Sequence, residues 1–321
     1  MIVWLKRWKK LNKVYFVNGF LDAGKTSFIQ DLLEEDYFEI DGKTLLILCE
    51  EGEVEYDDFL MQHLKVVIKN IENEEDFTPE HIAELEKEVC PERIVVEYNG
   101  MWDRRNLDLS RFWDDIMEIV IIDSATFEMF AANMKSIMSE HVRKAYLTIF
   151  NNCDDVMDKM ASYRRSVKAV NPSLNIVCKD KHGEDILQKF EDDLPYSLDD
   201  EVIDVRDDRF SVFYLDSLDN LDRYLGKKIV FTARIMKAKE EGKDIFLAGR
   251  LAMTCCEEDI SLFGIICHYS GSDPVENDDW VEITGTVDKD YVAKYDVEFP
   301  TCLVESIRPC EKPAREVISV V

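Results

Sequence analysis

Along residues 13 to about 190, short runs of β-branched and aliphatic residues alternate with longer stretches whose apolar positions recur every three or four residues. The runs KVYFVN (13–18), TLLILC (44–49), RIVVEY (93–98), EIVIID (118–123), YLTIF (146–150) and LNIVC (174–178) have almost no polar interruption. A strand with one wet face alternates apolar and polar positions, so an unbroken apolar run reads as a parallel strand covered on both faces. The stretches 25–36, 79–90, 126–140 and 153–170 have helical periodicity. Strands alternating with helices in this way predict an open α/β fold with a mostly parallel sheet.

The rhythm breaks over EDILQKFEDDLPYSLDDEVIDVRDD (184–208), which is dense in Asp and Glu. It reads as a last helix closing a first domain at about residue 190, followed by a solvated acidic linker over 191–208. From 209 to 321 the chain is β-rich, with KKIVFTARIM, DIFLAGRLAMTC, ISLFGIICHY, DWVEITGTV and TCLVESI separated by polar breakers. Five strands in that span predict a small all-β barrel. GKKIVFTARI (226–235) and DWVEITGTV (279–287) are similar to an OB-type barrel.

Composition narrows the function classes. The 321 residues suit two domains of roughly 150 residues each. With 67 acidic and 39 basic side chains the formal charge is −28, which argues against gripping nucleic-acid phosphates or an anionic membrane surface. A hydrophobic content of 46% argues against wholesale disorder. No apolar run approaches the ~20 residues that span a bilayer, and the opening MIVWLKRWKKLNK lacks the long apolar core of a secretory signal. Nine cysteines without regular spacing read as reduced thiols of a cytoplasmic protein.

The chemistry concentrates in Gly19-Phe20-Leu21-Asp22-Ala23-Gly24-Lys25-Thr26, a complete GxxxxGK[ST] between a predicted strand and a predicted helix. Glycines let the backbone curl so that the amides of Gly19, Asp22, Ala23, Gly24, Lys25, Thr26 and Ser27 converge on phosphate oxygens at a helix N-terminus. Lys25 can reach the β- and γ-phosphates, and the Thr26 hydroxyl can ligate Mg2+. Further on, YLTIF runs into Asn151-Asn152-Cys153-Asp154. An N-x-x-D there would set the Asp154 carboxylate against the paired N–H donors of guanine, which adenine lacks. A register shifted to Asn152 and Asp155 satisfies the same spacing.

Glu97, ending a strand, stands where a carboxylate close to Mg2+ is expected, or else caps the next loop. Glu50 and Asp57 follow the second strand. They could hold Mg2+ and orient the attacking water, or simply belong to a solvated acidic loop with their neighbours. Asp123 ends another strand, as a site residue or a cap. Cys255-Cys256, Cys267-His268, Cys302 and Cys310 are candidate transition-metal ligands, with Zn2+ as the metal, or else buried core thiols. His63, His81, His141 and His182 show no ligand spacing, and the aromatics of 210–214 and 263–269 read as core.

These segments together resemble the CobW-type GTPases, the metal-homeostasis branch of the phosphate-loop GTPases. VNGFLDAGKTSFIQDLL (17–33) is similar to the family's phosphate loop and following helix, and LCEEGEVEYD (48–57) to its NExGExxxD segment. VVEYNG (95–100) resembles its E-T-x-G, VIIDSATF (120–127) the strand ending in VDA, NNCD (151–154) its NKxD, and AVNPSLNIV (169–177) its LNPxAxI. RLAMTCCEEDISLFGIIC (250–267), DWVEITGTV and FPTCLVESIRP (299–309) resemble the C-terminal domain of permease-associated members.

The resemblance implies a slow Mg2+-dependent GTPase, with Lys25, Glu50, Asp57 and Glu97 catalytic and Thr26, Asp57 and Glu97 on Mg2+. It also implies a membrane permease or a metalloprotein as partner, a setting in metal homeostasis, and work as a homodimer. Nucleotide turnover would reorder residues 50–58 and 97–102. Cys49 stands where the family has Asn, and two further departures matter more. Asn152 replaces the lysine of NKxD, and the metal-binding CxCC is missing, since Cys90 is the one cysteine between Asp57 and Arg93. Two further readings stay open: a nucleotide-gated adaptor with little turnover, and a metal carrier using the C-terminal thiols.

Overall fold

Every residue of β1 (Val14–Asn18) is buried, as its unbroken apolar run requires, and the strand lies mid-sheet in the computed structural model. The structure describes residues 13–186 apart from 51 and 53, then 194–237, 245–254, 259–271, 276–292 and 297–320. The sheet continues through β2 (Thr44–Leu48), β3 (Val66–Asn70), β4 (Arg93–Glu97), β5 (Ile116–Asp123), β6 (Leu147–Asn151) and β7 (Asn175–Cys178). Its order is β3-β2-β4-β1-β5-β6-β7, and every pairing is parallel.

Successive side chains of a strand point to opposite faces, and two separate cores result. Tyr15, Val17, Leu46, Val95, Ile119 and Ile121 pack with Ile29, Leu32 and Leu33 of α1 (Lys25–Glu34). Val14, Phe16, Leu45, Ile47, Ile94 and Val96 pack with the helix Pro79–Val89.

Three local features differ from the sequence expectations. β3 is not among the six apolar runs: its residues are half-buried or exposed, as suits a short edge strand carrying Lys69. The helix expected over 126–140 is two, Phe127–Asn133 and Lys135–Arg143, broken at Met134. Asn133 Nδ2 donates to the Met129 carbonyl at 2.8 Å, a side-chain bond that competes with helix continuation. The stretch 153–170 opens with a 3-10 turn, Cys153–Val156, before the helix Met160–Val170.

The described residues group into two compact units, one from 1–160 with 173–190 and the other from 161–172 with 191–321. In the second unit β9 (Lys228–Met236), β10 (Ile245–Met253), β11 (Ile260–His268), β12 (Trp280–Val292) and β13 (Val297–Pro309) pair in the ring β10-β11-β13-β12-β9. A β10–β9 pairing closes it into a five-stranded barrel. The pairing β11–β13 is parallel and the other ring pairings are antiparallel.

The acidic linker expected over 191–208 is not a solvated tether where it is described. β8 (Ile203–Asp204) pairs with β9, and Ile203 and Val205 are fully buried in the barrel core. Within VIDV (202–205) the outward positions are the exposed Val202 and the half-buried Asp204. The barrel is preceded by the helix Arg209–Asp219, whose Phe210 and Phe213 are buried. Ala169 joins the same core, and Lys168 Nζ lies 2.7 Å from Asp219 Oδ1.

Candidate nucleotide-binding site

The loop after β1 curls back onto its own sheet. Gly24 has φ +95°, a left-handed conformation, and a Cβ there would meet Asn151 Nδ2 at 2.8 Å. Gly100 presses on the loop from the other side, where a Cβ would fall 2.1 Å from the Gly19 carbonyl oxygen. Asp22, at φ 59°, is exposed at the tip. The helix α1 starts from Gly24 without a side-chain cap and without an acid in its first turn. Its first amides and positive dipole end are therefore available to an anion. Ala23 is buried beside them, and Ser27 is exposed in the first turn.

Lys25 is 3% exposed, and its Nζ donates to the Gly19 and Phe20 carbonyls at 2.8 Å each. Its ammonium also pairs with the Glu50 carboxylate. Thr26 Oγ1 donates to Glu97 Oε1 at 2.8 Å, and the Tyr56 hydroxyl donates to Glu97 Oε2. Burial pushes the Glu97 pKa up against these hydrogen bonds and the Lys25 charge, which pull it down. Burial and the Glu97 charge push the Tyr56 pKa up, so its proton stays in place as the donor. Thr26 and Glu97 present hard oxygen donors side by side, a chemistry that fits Mg2+, which takes few protein oxygens and keeps several waters.

Asp57 is placed differently from the other acids of its segment. Its Oδ1 accepts the Leu60 N–H at 2.8 Å and caps the helix Asp58–His63, with the side chain exposed. The sequence gives a reason: Asp three residues before an apolar helical run is a common N-cap. Cys49, where the family has Asn, is buried, and desolvation pushes its thiol pKa up. Glu51 and Glu53 lie outside the described residues.

The expected base-recognition turn is tied to the phosphate loop. Asn151 Nδ2 donates to the Ala23 carbonyl at 2.9 Å. Asp154 is exposed, and its Oδ2 accepts the Lys181 N–H at 2.6 Å. Asn152, in the place of the family's lysine, adopts φ 55° and donates from Nδ2 to Asp123 Oδ1 at 2.9 Å. Asp123 also accepts from Ala125 N and Thr126 Oγ1, bonds that tie down the turn after β5.

Two residues at this site had no sequence signal. Tyr56 occupies a position where the chain's run of acids drew attention to its neighbours. His141 is 1% exposed, its Nε2 lies 2.9 Å from the Gly100 carbonyl oxygen, and its ring packs 4.8 Å from that of Phe20. Desolvation lowers its pKa to about 3, so it is neutral and donates to Gly100.

Among the described residues the C-terminal thiols are not assembled into a ligand set. Cys255 and Cys256 lie outside the described residues. Cys267 and Cys302 are register partners on β11 and β13, both fully buried. Desolvation holds the Cys267 pKa well above the ordinary thiol value, which makes it a poor metal ligand. Among the described residues no group of three or more His, Cys, Asp or Glu could hold a metal ion, and no helix is long and apolar enough to cross a membrane.

No curated protein matches the chain. Among solved structures it is similar to the hydrogenase maturation factor HypB from Archaeoglobus fulgidus, at 18% identity and TM-score 0.42 over 56% of this chain and 86% of that one. It is also similar to a Zn(II)-bound triple mutant of the YjiA GTPase, at 13% identity and TM-score 0.39 over 96% and 92% of the two chains. FlhF complexed with GMPPNP and Mg2+ matches at 14% identity and TM-score 0.38 over 54% and 70%. Residues 182–318 match the DUF1980 C-terminal domain. Residues 13–178, just over half of the chain, match the CobW/HypB/UreG nucleotide-binding domain, and the chain therefore belongs to that family of phosphate-loop GTPases.

Proposed function

We propose that the chain is a slow Mg2+-dependent GTPase of the CobW class that couples nucleotide turnover to a partner. One observation carries the reading: Asn151 Nδ2 bonds the Ala23 carbonyl, so the turn that would read the base and the loop that would hold the phosphates form one unit. In this reading the amides of Gly19 to Ser27 and the Lys25 ammonium receive the triphosphate. Asp154 selects guanine by accepting its N–H donors.

Thr26 and Glu97 would hold Mg2+, which supplies charge neutralisation on the transferring phosphoryl group. Glu50 now holds the Lys25 ammonium. A triphosphate competes for that ammonium, and the released Glu50 carboxylate is then free to orient water. Asp57 acts by starting the helix that follows this segment. The movement of 50–58 and 97–102 would be the signal to a membrane permease or a metalloprotein, with the barrel as the coupled module and a homodimer as the working state.

The turn of Asn152 toward Asp123 favours a second reading. A base with no lysine packed over it suits a nucleotide-gated adaptor that binds GTP and hardly hydrolyses it. Single-turnover GTP hydrolysis measured beside calorimetric binding, on the full chain with Mg2+, separates the two. Hydrolysis well above the protein-free rate supports the GTPase, and tight binding at that background rate supports the adaptor. Lys25→Ala should abolish binding in both. Wild-type protein that binds neither GTP nor ATP overturns both.

A further inference from the structure

Cys153 lies inside the turn that would read the base, between Asn151 and Asp154, and its side chain is fully buried. Its Sγ is 3.3 Å from Ser124 Oγ and 3.4 Å from the Phe150 carbonyl oxygen. Cys178, the last residue of β7, is 4% exposed and hydrogen-bonds the Cys153 thiol. The backbone fixes this meeting. Phe150 and Cys178 are register partners, and the Cys153 N–H donates to the Lys179 carbonyl at 3.0 Å. Neither cysteine is held in a disulfide.

The Cys153 thiol differs from those of Cys49 and Cys267. Burial pushes the thiol pKa up at Cys49 and Cys267. At Cys153 it is lowered, first by the hydrogen bond from Cys178 and further by Ser124 and the Lys179 backbone. A thiol with more thiolate character is the better nucleophile toward a disulfide.

We propose that Cys153 and Cys178 are a dithiol modification site for exchange with a low-molecular-weight disulfide, and that their cross-link weakens guanine-nucleotide binding. The second half rests on the base-recognition role proposed above for Asp154. In the first step the Cys153 thiolate, its proton lost to solvent, attacks one sulfur of RSSR. That S–S bond breaks, and RS− leaves and is protonated to RSH. The Cys178 thiol then loses its proton to solvent, and its thiolate attacks the Cys153 sulfur of the mixed disulfide, breaking that S–S bond and expelling a second RS−, which is protonated to RSH. Two protein thiols are oxidised to one disulfide, and RSSR is reduced to two RSH.

The route to Cys153 is short. Asn152, Asp154 and Asp155 are exposed, and the 3-10 turn has no side-chain cap, so opening one turn uncovers the sulfur. Hydrogen-bonded thiols stand well beyond the ~2.05 Å of a disulfide. Closing that gap draws the turn toward β7 and shifts Asp154, the next residue. Hydrogen bonds weaken steeply with misalignment, so the base contact suffers.

The test uses the reduced full chain, treated with the disulfide of mercaptoethanol and mapped by differential alkylation and peptide mass. Fluorescent-GTP titration with Mg2+ is run before treatment, after it, and after re-reduction with a phosphine. The expected result is a Cys153–Cys178 linked peptide, with GTP Kd raised about tenfold and restored on reduction. Cys178→Ser should give no linked peptide and leave Cys153 as a mixed disulfide.

Oxidation confined to other cysteines, such as Cys267 with Cys302, overturns the proposal. A linked peptide with unchanged GTP affinity overturns its second half. Reduced protein that binds no nucleotide overturns the GTPase reading, while the peptide map still decides the dithiol.

Discussion

The Tyr56 hydroxyl donates to one oxygen of Glu97 while the Thr26 hydroxyl donates to the other. A buried carboxylate needs such donors, because desolvation alone raises its pKa and favours the neutral acid. Tyr56 thus joins the segment after β2 to the phosphate loop through a single acid.

Replacing Tyr56 by Phe removes a donor to a buried charged group without opening a large cavity. The nucleotide-free protein should lose roughly 1–3 kcal/mol of stability. Urea unfolding in the presence of a chelator measures this, and an unchanged midpoint would show that the bond contributes nothing.

Glu97→Gln keeps the shape of the side chain and removes its charge. If Glu97 holds Mg2+, the Mg2+ concentration for half-maximal GTP binding should rise about tenfold or more. In the proposed reading Lys25 and the amides of Gly19 to Ser27 still hold the nucleotide, so affinity at saturating Mg2+ should fall much less. A Mg2+ titration at fixed GTP reads the difference, and an unshifted curve removes Glu97 from the metal.

Asp154→Asn replaces an acceptor by an amide that can also donate. Guanine then loses its carboxylate partner, and GTP affinity should fall by about 10- to 100-fold. Xanthine carries a carbonyl where guanine carries its amino group, so xanthosine triphosphate should gain relative to GTP. Competition titrations test the exchange. Equal loss for both nucleotides would mean that Asp154 supports the turn through Lys181 and does not touch the base.

His141 predicts an acid sensitivity of the first unit. Its folded pKa is lowered to about 3, below the ordinary histidine value. Between the two values the unfolded chain binds the extra proton. The contribution of neutral His141 is therefore complete above about pH 6.5 and declines as pH falls toward 3, with a slope near ~1.4 kcal/mol per pH unit. His141→Gln keeps a donor toward Gly100 and cannot titrate, so denaturant midpoints should show a flatter dependence over that window. An identical slope in the variant would assign the acid limb to other groups.

The sequence made visible what local pattern controls. β1, β2, β4 and β6 are readable because nearly all of their residues are buried, β5 and β7 because their runs stay apolar although several positions are half-buried, and the phosphate loop because its glycines and Lys25 sit at fixed spacing between a strand and a helix. β3 is harder to read, because its short apolar run ends in Lys69 and Asn70 and none of its residues is buried. Asp57 reads as a ligand or as part of a solvated acidic loop until the Leu60 amide is seen to claim it. Tyr56, His141 and the meeting of Cys153 with Cys178 depend on contacts between distant segments, which no periodicity records. Ile203 and Val205 were hidden by the acids around them, although their spacing of two is that of a strand with one face inward.

The carbonyl of Gly19 lies where even a methyl group on residue 100 would have to sit. Two stretches far apart in the gene are thereby locked into one fate. An alanine arising at codon 100 would dislodge the hairpin of amides around Gly19 while sparing the strands beneath it. The expected phenotype is a well-folded, abundant protein that has gone deaf to nucleotide, a lesion that a screen for misfolding would pass over.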